Sequence, residues 1–373
     1  MDYVIRTVAL QEWDKFQRFL ERCYGHRRGL FADYYPELYR PDRDALSCFH
    51  VIERDGKIAA HVGLFPVKLI SFGSEVEAGG IGGVATLPEF RGKGYMTILL
   101  DHVITVMKKK KLPLSVLWGD RQRYYPFGWE TGGLKYSLVI TRRALVKANM
   151  KPSKLEEVSA RETLPTVKKL QVHLPLRVER PRMLESLSKT FLRNWIGDDG
   201  YVISRGSGFE CPAILEVASD TGREKELIMG VMDRCFADSA TVKVNAFDHK
   251  RLNRLFEVAS EWTLEPEGHF RIIDLAGLLK PFGKLIETRA QSLLDFHVTI
   301  GLKHTDTVDA ATLQLKNGNV EISKGKQADN YVELDEQKGV RLLLGPCFEV
   351  PASLKVISPL FPLPLHISRI DEV

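Results

Sequence analysis

The sequence predicts an α+β fold spread over more than one domain, and three observations carry that expectation. Two hairpin signals stand close together: Asp55-Gly56 between the strand-like stretches 48–54 and 57–65, and Gly73 between 67–72 and 74–78. A strand–loop–helix–strand run follows from residue 81 to residue 118. The chain has 373 residues, and at roughly 150 per domain that gives two or three units.

Taken in order, residues 1–45 read as helical and aromatic-rich, interrupted at Gly25 and Pro36. After the hairpins comes Ile81-Gly82-Gly83-Val84-Ala85-Thr86, a strand whose glycines leave one face nearly bare. Met96, Leu99, Leu100, Val103 and Met107 then recur at helical spacing and form one apolar face. Lys108 to Lys111 close that helix, where cations suit the negative end of its dipole, and Pro113 ends it. Residues 114–118 form a short apolar strand. Beyond this, 150–195 reads as largely helical, and 201–275 as strands with one helix at 250–262. A helix at 278–288, disturbed by Pro281 and Gly283, leads into strands at 296–302, 311–315, 320–323 and 331–334, with a hairpin at Asn317-Gly318. Prolines 346, 351, 359, 362 and 364 alternate with Leu360, Phe361, Leu363, Leu365 and Ile367, which predicts an extended tail packed on the protein.

Composition narrows the function. With 44% hydrophobic and 27% charged residues the chain can fill more than one core. The 53 basic residues are matched by 48 acidic ones, and the lysines at 108–111 are the one dense basic run, so no nucleic acid is expected as a partner. The start, Met1-Asp2-Tyr3-Val4-Ile5-Arg6, lacks a basic and then apolar leader, and no stretch reaches the ~18 apolar residues of a membrane span. Cys23, Cys48, Cys211, Cys235 and Cys347 are scattered, odd in number and form no CxxC pair, so neither a disulfide framework nor a metal site is expected. A cytoplasmic location with reduced thiols follows as an expectation.

The chemistry-bearing segment is Arg91-Gly92-Lys93-Gly94-Tyr95-Met96. It lies between a strand and a helix, where unpaired N–H groups and the helix dipole favour an anion such as pyrophosphate. Gly92 and Gly94 allow close backbone approach, and Arg91 and Lys93 add charge. About 30 residues later stands Tyr124-Tyr125-Pro126-Phe127-Gly128-Trp129.

Val84 to Gly94 resembles motif A of the GNAT (GCN5-related N-acetyltransferase) superfamily, Gln/Arg-x-x-Gly-x-Gly/Ala. Arg91 and Gly94 fit the pattern and Met96 departs from it. That departure and the aromatic run 124–129 are similar to the enhanced-intracellular-survival (Eis) branch. The resemblance implies a GNAT fold, with a mixed, mostly antiparallel sheet, at 1–135. It further implies a degenerate GNAT-like domain at 136–275 and a sterol-carrier-like α+β domain at 276–373. It implies acetyl-coenzyme A as co-substrate, held by Val84, Ala85, Thr86, Arg91, Gly92, Lys93, Gly94, Tyr95 and Met96. An N–H near Ala85 would stabilise the oxyanion, and Tyr124, or its neighbour Tyr125, would act as general acid. The carboxylate of Val373 would serve in place of an internal acidic base. The acceptor it implies is a primary amine on a small cationic molecule or a peptide, and family analogy adds a homo-oligomer. Two other readings stand beside this one. One is a protein that senses acetyl-CoA or binds an apolar ligand without catalysis, and the other a transferase of longer acyl chains. His61 and His102 read as structural. Tyr24, Phe31, Tyr34, Tyr35 and Tyr39 read either as walls of the acceptor pocket or as packing between the first helices.

Overall fold

The computed structural model describes residues 3–206, 211–304, 307–346 and 350–373. Met1, Asp2 and Cys347, on which part of the reading above rests, lie outside the described residues. The described chain forms three sheets.

The first sheet contains β1 (Val4–Thr7), β2 (Phe49–Arg54), β3 (Lys57–Ser71), β4 (Ser74–Thr86), β5 (Leu114–Leu117) and β6 (Glu130–Gly132). Both expected hairpins form. Asp55 and Gly56, then Phe72 and Gly73, all take positive φ, the mirror-image turn that suits the twist of paired strands. The stretches expected as separate strands at 57–65 and 67–72 are one strand, β3, and those at 74–78 and 81–86 are β4. Expected as helical throughout, residues 1–45 begin with the edge strand β1. Helices α1 (Trp13–Tyr24), α2 (Leu30–Tyr34) and α3 (Arg43–Leu46) follow. Helix α4 (Tyr95–Lys109) buries Leu99, Leu100, Val103 and Met107 completely. Each such side chain contributes roughly 1.5–3 kcal/mol, so this helix is fixed rigidly to the sheet.

The second sheet runs in the order Ala259–Glu265, Lys135–Thr141, Ser239–Asn245, Ala213–Ser219, Gly200–Arg205, Arg193–Gly197, Glu156–Val158. Two expectations fail here. The helix at 250–262 is only His249–Phe256, and the rest is the edge strand Ala259–Glu265, where β-branched and aromatic residues alternate with polar ones. The stretch 150–195 holds the helices Ala160–Gln171 and Met183–Leu187, but also three short strands.

The two sheets exchange strands. Gly268–Ile272, which follows the second sheet in sequence, pairs between β5 and β6 of the first. Lys135–Thr141, which follows β6, pairs between Ser239–Asn245 and Ala259–Glu265 of the second. A boundary drawn at 275 therefore assigns Gly268–Ile272 to the wrong sheet.

Strands Asn319–Lys324, Val308–Lys316, Phe296–Lys303 and Tyr331–Asp335 make the third sheet. The helix expected at 278–288 is broken at Pro281 into Leu275–Leu279 and Gly283–Ala290, and a further helix, Glu336–Leu344, was not expected. The apolar interior here is filled by the protein's own side chains, including Leu354, Ile357, Leu360 and Leu363 of the tail. The tail is packed as expected. It is tied by Ser71 Oγ to the Pro364 carbonyl and by Asn245 Nδ2 to that of Leu365. Among the described residues no helix is long and apolar enough to cross a membrane.

Candidate active site

Strand β4 pairs in parallel with β5 only over Ala78–Ile81, because β5 then ends. From Gly82 to Thr86 β4 has a neighbour on the β3 side alone. There the register slips: His61 faces Ala85 but Gly63 faces Gly82, so Gly83 and Val84 together oppose Val62. The extra residue is Gly83, at φ +61°, where an added Cβ would lie 2.2 Å from the Tyr39 hydroxyl. Both readings of the paired glycines are therefore present: a β-bulge, and a strand left open on one side.

The bulge is held by His61. Its Nδ1 lies 2.7 Å from the Gly83 carbonyl. Complete burial pushes the imidazole pKa down to about 3, so the ring is neutral. A carbonyl only accepts, so Nδ1 carries the proton. His61 is structural in this sense, though it props the residue next to the open edge. His102 pairs with His50 on the far side of the helix, Nε2 to Nδ1 at 3.2 Å.

Alternation along β4 decides which amides face the opening. The Val84 carbonyl accepts from Tyr24 Oη at 2.9 Å and the Thr86 carbonyl from Arg91 Nε at 3.3 Å, both on the open side. Ala85 is in register with His61 and turns its own N–H and C=O toward β3. The N–H groups beside Ala85 that face outward are those of Val84 and Thr86.

Beyond Thr86 the chain makes one short turn and reaches the glycine loop. Gly92 and Gly94 have φ +74° and +76°, a conformation other residues rarely adopt, and nothing lies within 4 Å of a Cβ at either. Gly94 starts α4 with no side-chain cap and no acidic residue in the first turn, which leaves the leading N–H groups available to an anion. Val84, Ala85, Thr86, Arg91, Gly92, Gly94, Tyr95 and Met96 line one cleft of about 650 Å³. Of the residues expected there, Lys93 alone stays outside the lining, its ammonium 4.9 Å over the Phe90 ring. Cys23, Tyr24 and Arg123 complete the wall. The sequence gave no sign of Tyr24 or Arg123 as cleft residues, since neither belongs to a spaced motif.

The neighbouring tyrosines point in different directions. Tyr124 ends α5 (Arg121–Tyr124) and is buried in the core of the first unit, within electrostatic reach of Tyr24. Burial raises its phenol pKa, and Arg123 partly offsets this. Tyr125 is partly exposed under the Arg121 guanidinium, and its carbonyl accepts from Gln337 of the third unit. Tyr39 is core, whereas Tyr24 faces the cleft.

Val373 lies at the foot of the open edge. A Cβ added to Gly80 would lie 2.6 Å from Val373 Cγ2, and one added to Gly82 would lie 2.8 Å from its carboxyl carbon. These glycines are bare because the last residue covers them. Val373 also lines a second cleft of about 350 Å³ with Glu37, Asp44, Phe65, Glu179 and Asp371. The largest cleft, about 1070 Å³, lies elsewhere, against Ala218–Gly222 and Arg289, and contains none of these groups. Among the described residues no cluster of His, Cys, Asp or Glu is arranged to hold a metal.

Residues 4–132 match the family model described as the acetyltransferase (GNAT) domain. Several solved structures share the whole architecture. A GCN5-related N-acetyltransferase from Kribbella flavida is 16% identical over 98% of this chain and 97% of its own, with a TM-score of 0.71. One from Anabaena variabilis ATCC 29413 is 18% identical over 100% of both chains, also at 0.71. Eis1 from Mycobacterium abscessus is 15% identical over 97% of this chain and 99% of its own, at 0.67. At such identities the likeness is one of fold. No curated protein matches the sequence. Residues 4–132 thus form a GNAT acetyltransferase domain, and the chain is an acetyltransferase whose fold is α+β.

Proposed function

We propose, with that domain as the premise, that the protein transfers acetyl from acetyl-CoA directly to a primary amine on a small cationic molecule or lysine-like acceptor. The observation that carries the reading is the continuity of one cleft, from the open edge Val84–Thr86 to the glycine loop and the uncapped start of α4. In this reading the pyrophosphate lies on the first amides of α4 with Arg91 and Lys93 beside it, and the pantetheine arm runs along Val84–Thr86. The outward N–H of Val84, next to the bulge, receives the thioester oxygen. The amine nitrogen attacks the carbonyl carbon to form the C–N bond. Collapse of the oxyanion then breaks the C–S bond, and Tyr124 gives its proton to the departing sulfur.

Free-energy differences limit the roles. A phenol at ~10 protonating a thiolate at ~8.5 is uphill by about 2 kcal/mol, and burial of Tyr124 widens the gap unless the thiolate is desolvated as well. An α-carboxyl at ~3.5 is short of an amine at ~10 by roughly 9 kcal/mol. The Val373 carboxylate therefore serves by holding the ammonium and orienting the water that takes its proton. A cationic acceptor is supported by the carboxylates around Val373. Of the arginines in the same cleft, Arg180 is occupied by Asp371 and Glu216, and Arg40 by Asp42.

Thiol release measured across polyamines, aminoglycosides and lysine peptides tests the reading. At least one amine should give turnover, and a Val373 C-terminal amide should abolish most of it with the melting temperature unchanged. Tight acetyl-CoA binding without release for every amine class would refute it.

A further inference from the structure

The second sheet repeats the opening of the first. Its strands Ala213–Ser219 and Ser239–Asn245 are parallel and pair only at Ala213 with Thr241 and Ile214 with Val242, then part. In the first unit the corresponding opening faces a cleft. In the second it is taken by the chain's own tail. Ser368 Oγ donates to the Leu215 carbonyl at 3.4 Å, and Asn245 Nδ2 to that of Leu365 at 2.7 Å. Ile370 is completely buried in a small core with Val167, Leu170, Leu187, Tyr201 and Leu215.

Two buried cations hold the next residues. Arg180 places Nε and Nη2 on the two Asp371 oxygens at 2.6 and 2.8 Å, and Nη1 and Nη2 on those of Glu216 at 3.1 and 2.7 Å. Tyr201 donates to Glu216 at 2.7 Å. Lys189 Nζ reaches the Ile370 carbonyl and Glu37 Oε1, both at 2.6 Å. Two residues beyond Asp371, Val373 covers Gly80 and Gly82.

We propose that the second unit acts in the reaction as a clamp for the tail, with Arg180 as a positioning residue that sets where Val373 meets the open edge of β4. The physical argument is that buried ion pairs add little net stability, because desolvation consumes most of their attraction. A forked guanidinium engaging two carboxylates fixes orientation as well as distance. The same opening that would receive a pantetheine arm thus receives a peptide segment and aims it at the neighbouring opening. The proposal rests on the reading that the Val373 carboxylate takes part in the reaction.

The test uses the full chain carrying Asp371→Asn, Arg180→Met, a one-residue extension after Val373, or Asp371→Asn with that extension. Turnover, the acetyl-CoA dissociation constant by calorimetry, and the melting temperature are measured for each. Asp371→Asn keeps the shape and leaves Arg180 paired with Glu216, so it carries the test should Arg180→Met not fold. The clamp variants should lower kcat by about 10-fold or more while leaving acetyl-CoA affinity unchanged, since a shift near 1 Å costs up to ~100-fold. In the extended chain Asp371→Asn should cause no further loss. A folded Asp371→Asn with undiminished kcat, or a loss that multiplies with that of the extension, would overturn the clamp. If the extension alone is silent, the carboxylate reading fails and takes the clamp with it, and that single variant identifies the cause.

Discussion

Gly82→Ala probes the meeting of tail and strand with one methyl group. Gly82 has no left-handed φ, so alanine suits the backbone, and the new atom acts only through space. It would lie 2.8 Å from the Val373 carboxyl carbon, 3.0 Å from its oxygen and 3.2 Å from the Phe65 ring. Carbon atoms settle at about 3.5–4.0 Å, so the carboxylate must retreat by roughly 0.7–1.2 Å. Overpacking of this kind costs about 1–3 kcal/mol of stability, which a chain this size tolerates. A displacement near 1 Å at a reacting site costs on the order of 100-fold in rate. The assay is steady-state thiol release under saturating acetyl-CoA, with calorimetry for the cofactor and a thermal melt. Gly92→Ala is the matched control. Its Cβ meets nothing, but φ +74° strains it by about 1–2 kcal/mol, so it should weaken acetyl-CoA binding and spare kcat. A folded Gly82→Ala enzyme with wild-type kcat would show that the position of Val373 does not matter to the chemistry.

Three further outcomes are expected. Arg91→Ala should weaken acetyl-CoA binding by about 1.5–3 kcal/mol, less at high salt, and an unchanged dissociation constant in calorimetry would remove Arg91 from the phosphate site. Tyr124→Phe should lower kcat by about 100-fold with cofactor affinity kept, whereas Tyr125→Phe, on the outer face, should be nearly silent; the reverse pattern would exchange their roles. Burial alone would raise the Glu130 carboxyl pKa, but hydrogen bonds from Arg121, the Thr131 amide and Arg341 outweigh it and bring it down to about 2. The stability it adds is present above the unfolded value of ~4.3 and is lost as pH falls toward 2, so in acid titrations Glu130→Gln should flatten that part of the unfolding curve.

The catalytic unit was the most legible part of the sequence because its signals are local. Asp55-Gly56, the helical spacing of Leu99, Val103 and Met107, and the Arg91–Gly94 loop each depend on a few adjacent residues. Tyr24 and Arg180 were not legible, because their partners Val84 and Asp371 lie 60 and 191 residues away. The edge strand Ala259–Glu265 was read as helix for a related reason. Its pairing with Lys135–Thr141, more than 100 residues earlier, overrides the helical continuation from His249–Phe256.

The exchange of Lys135–Thr141 for Gly268–Ile272 bears on how such a chain can be divided. A segment ending near residue 132 carries the whole cofactor loop, yet β6 loses the partner strand that joins it to the sheet, and β5 becomes an unprotected edge. The complementary piece loses Lys135–Thr141, and Ala259–Glu265 with it loses its only neighbour. Neither half is therefore a module that recombination or a protease could release intact. Local opening of one sheet withdraws a strand from the other, so the two units share one cooperative unfolding transition. The reach of the catalytic unit in sequence is thus twice its apparent length, and a transplant of its chemistry must carry both crossing strands.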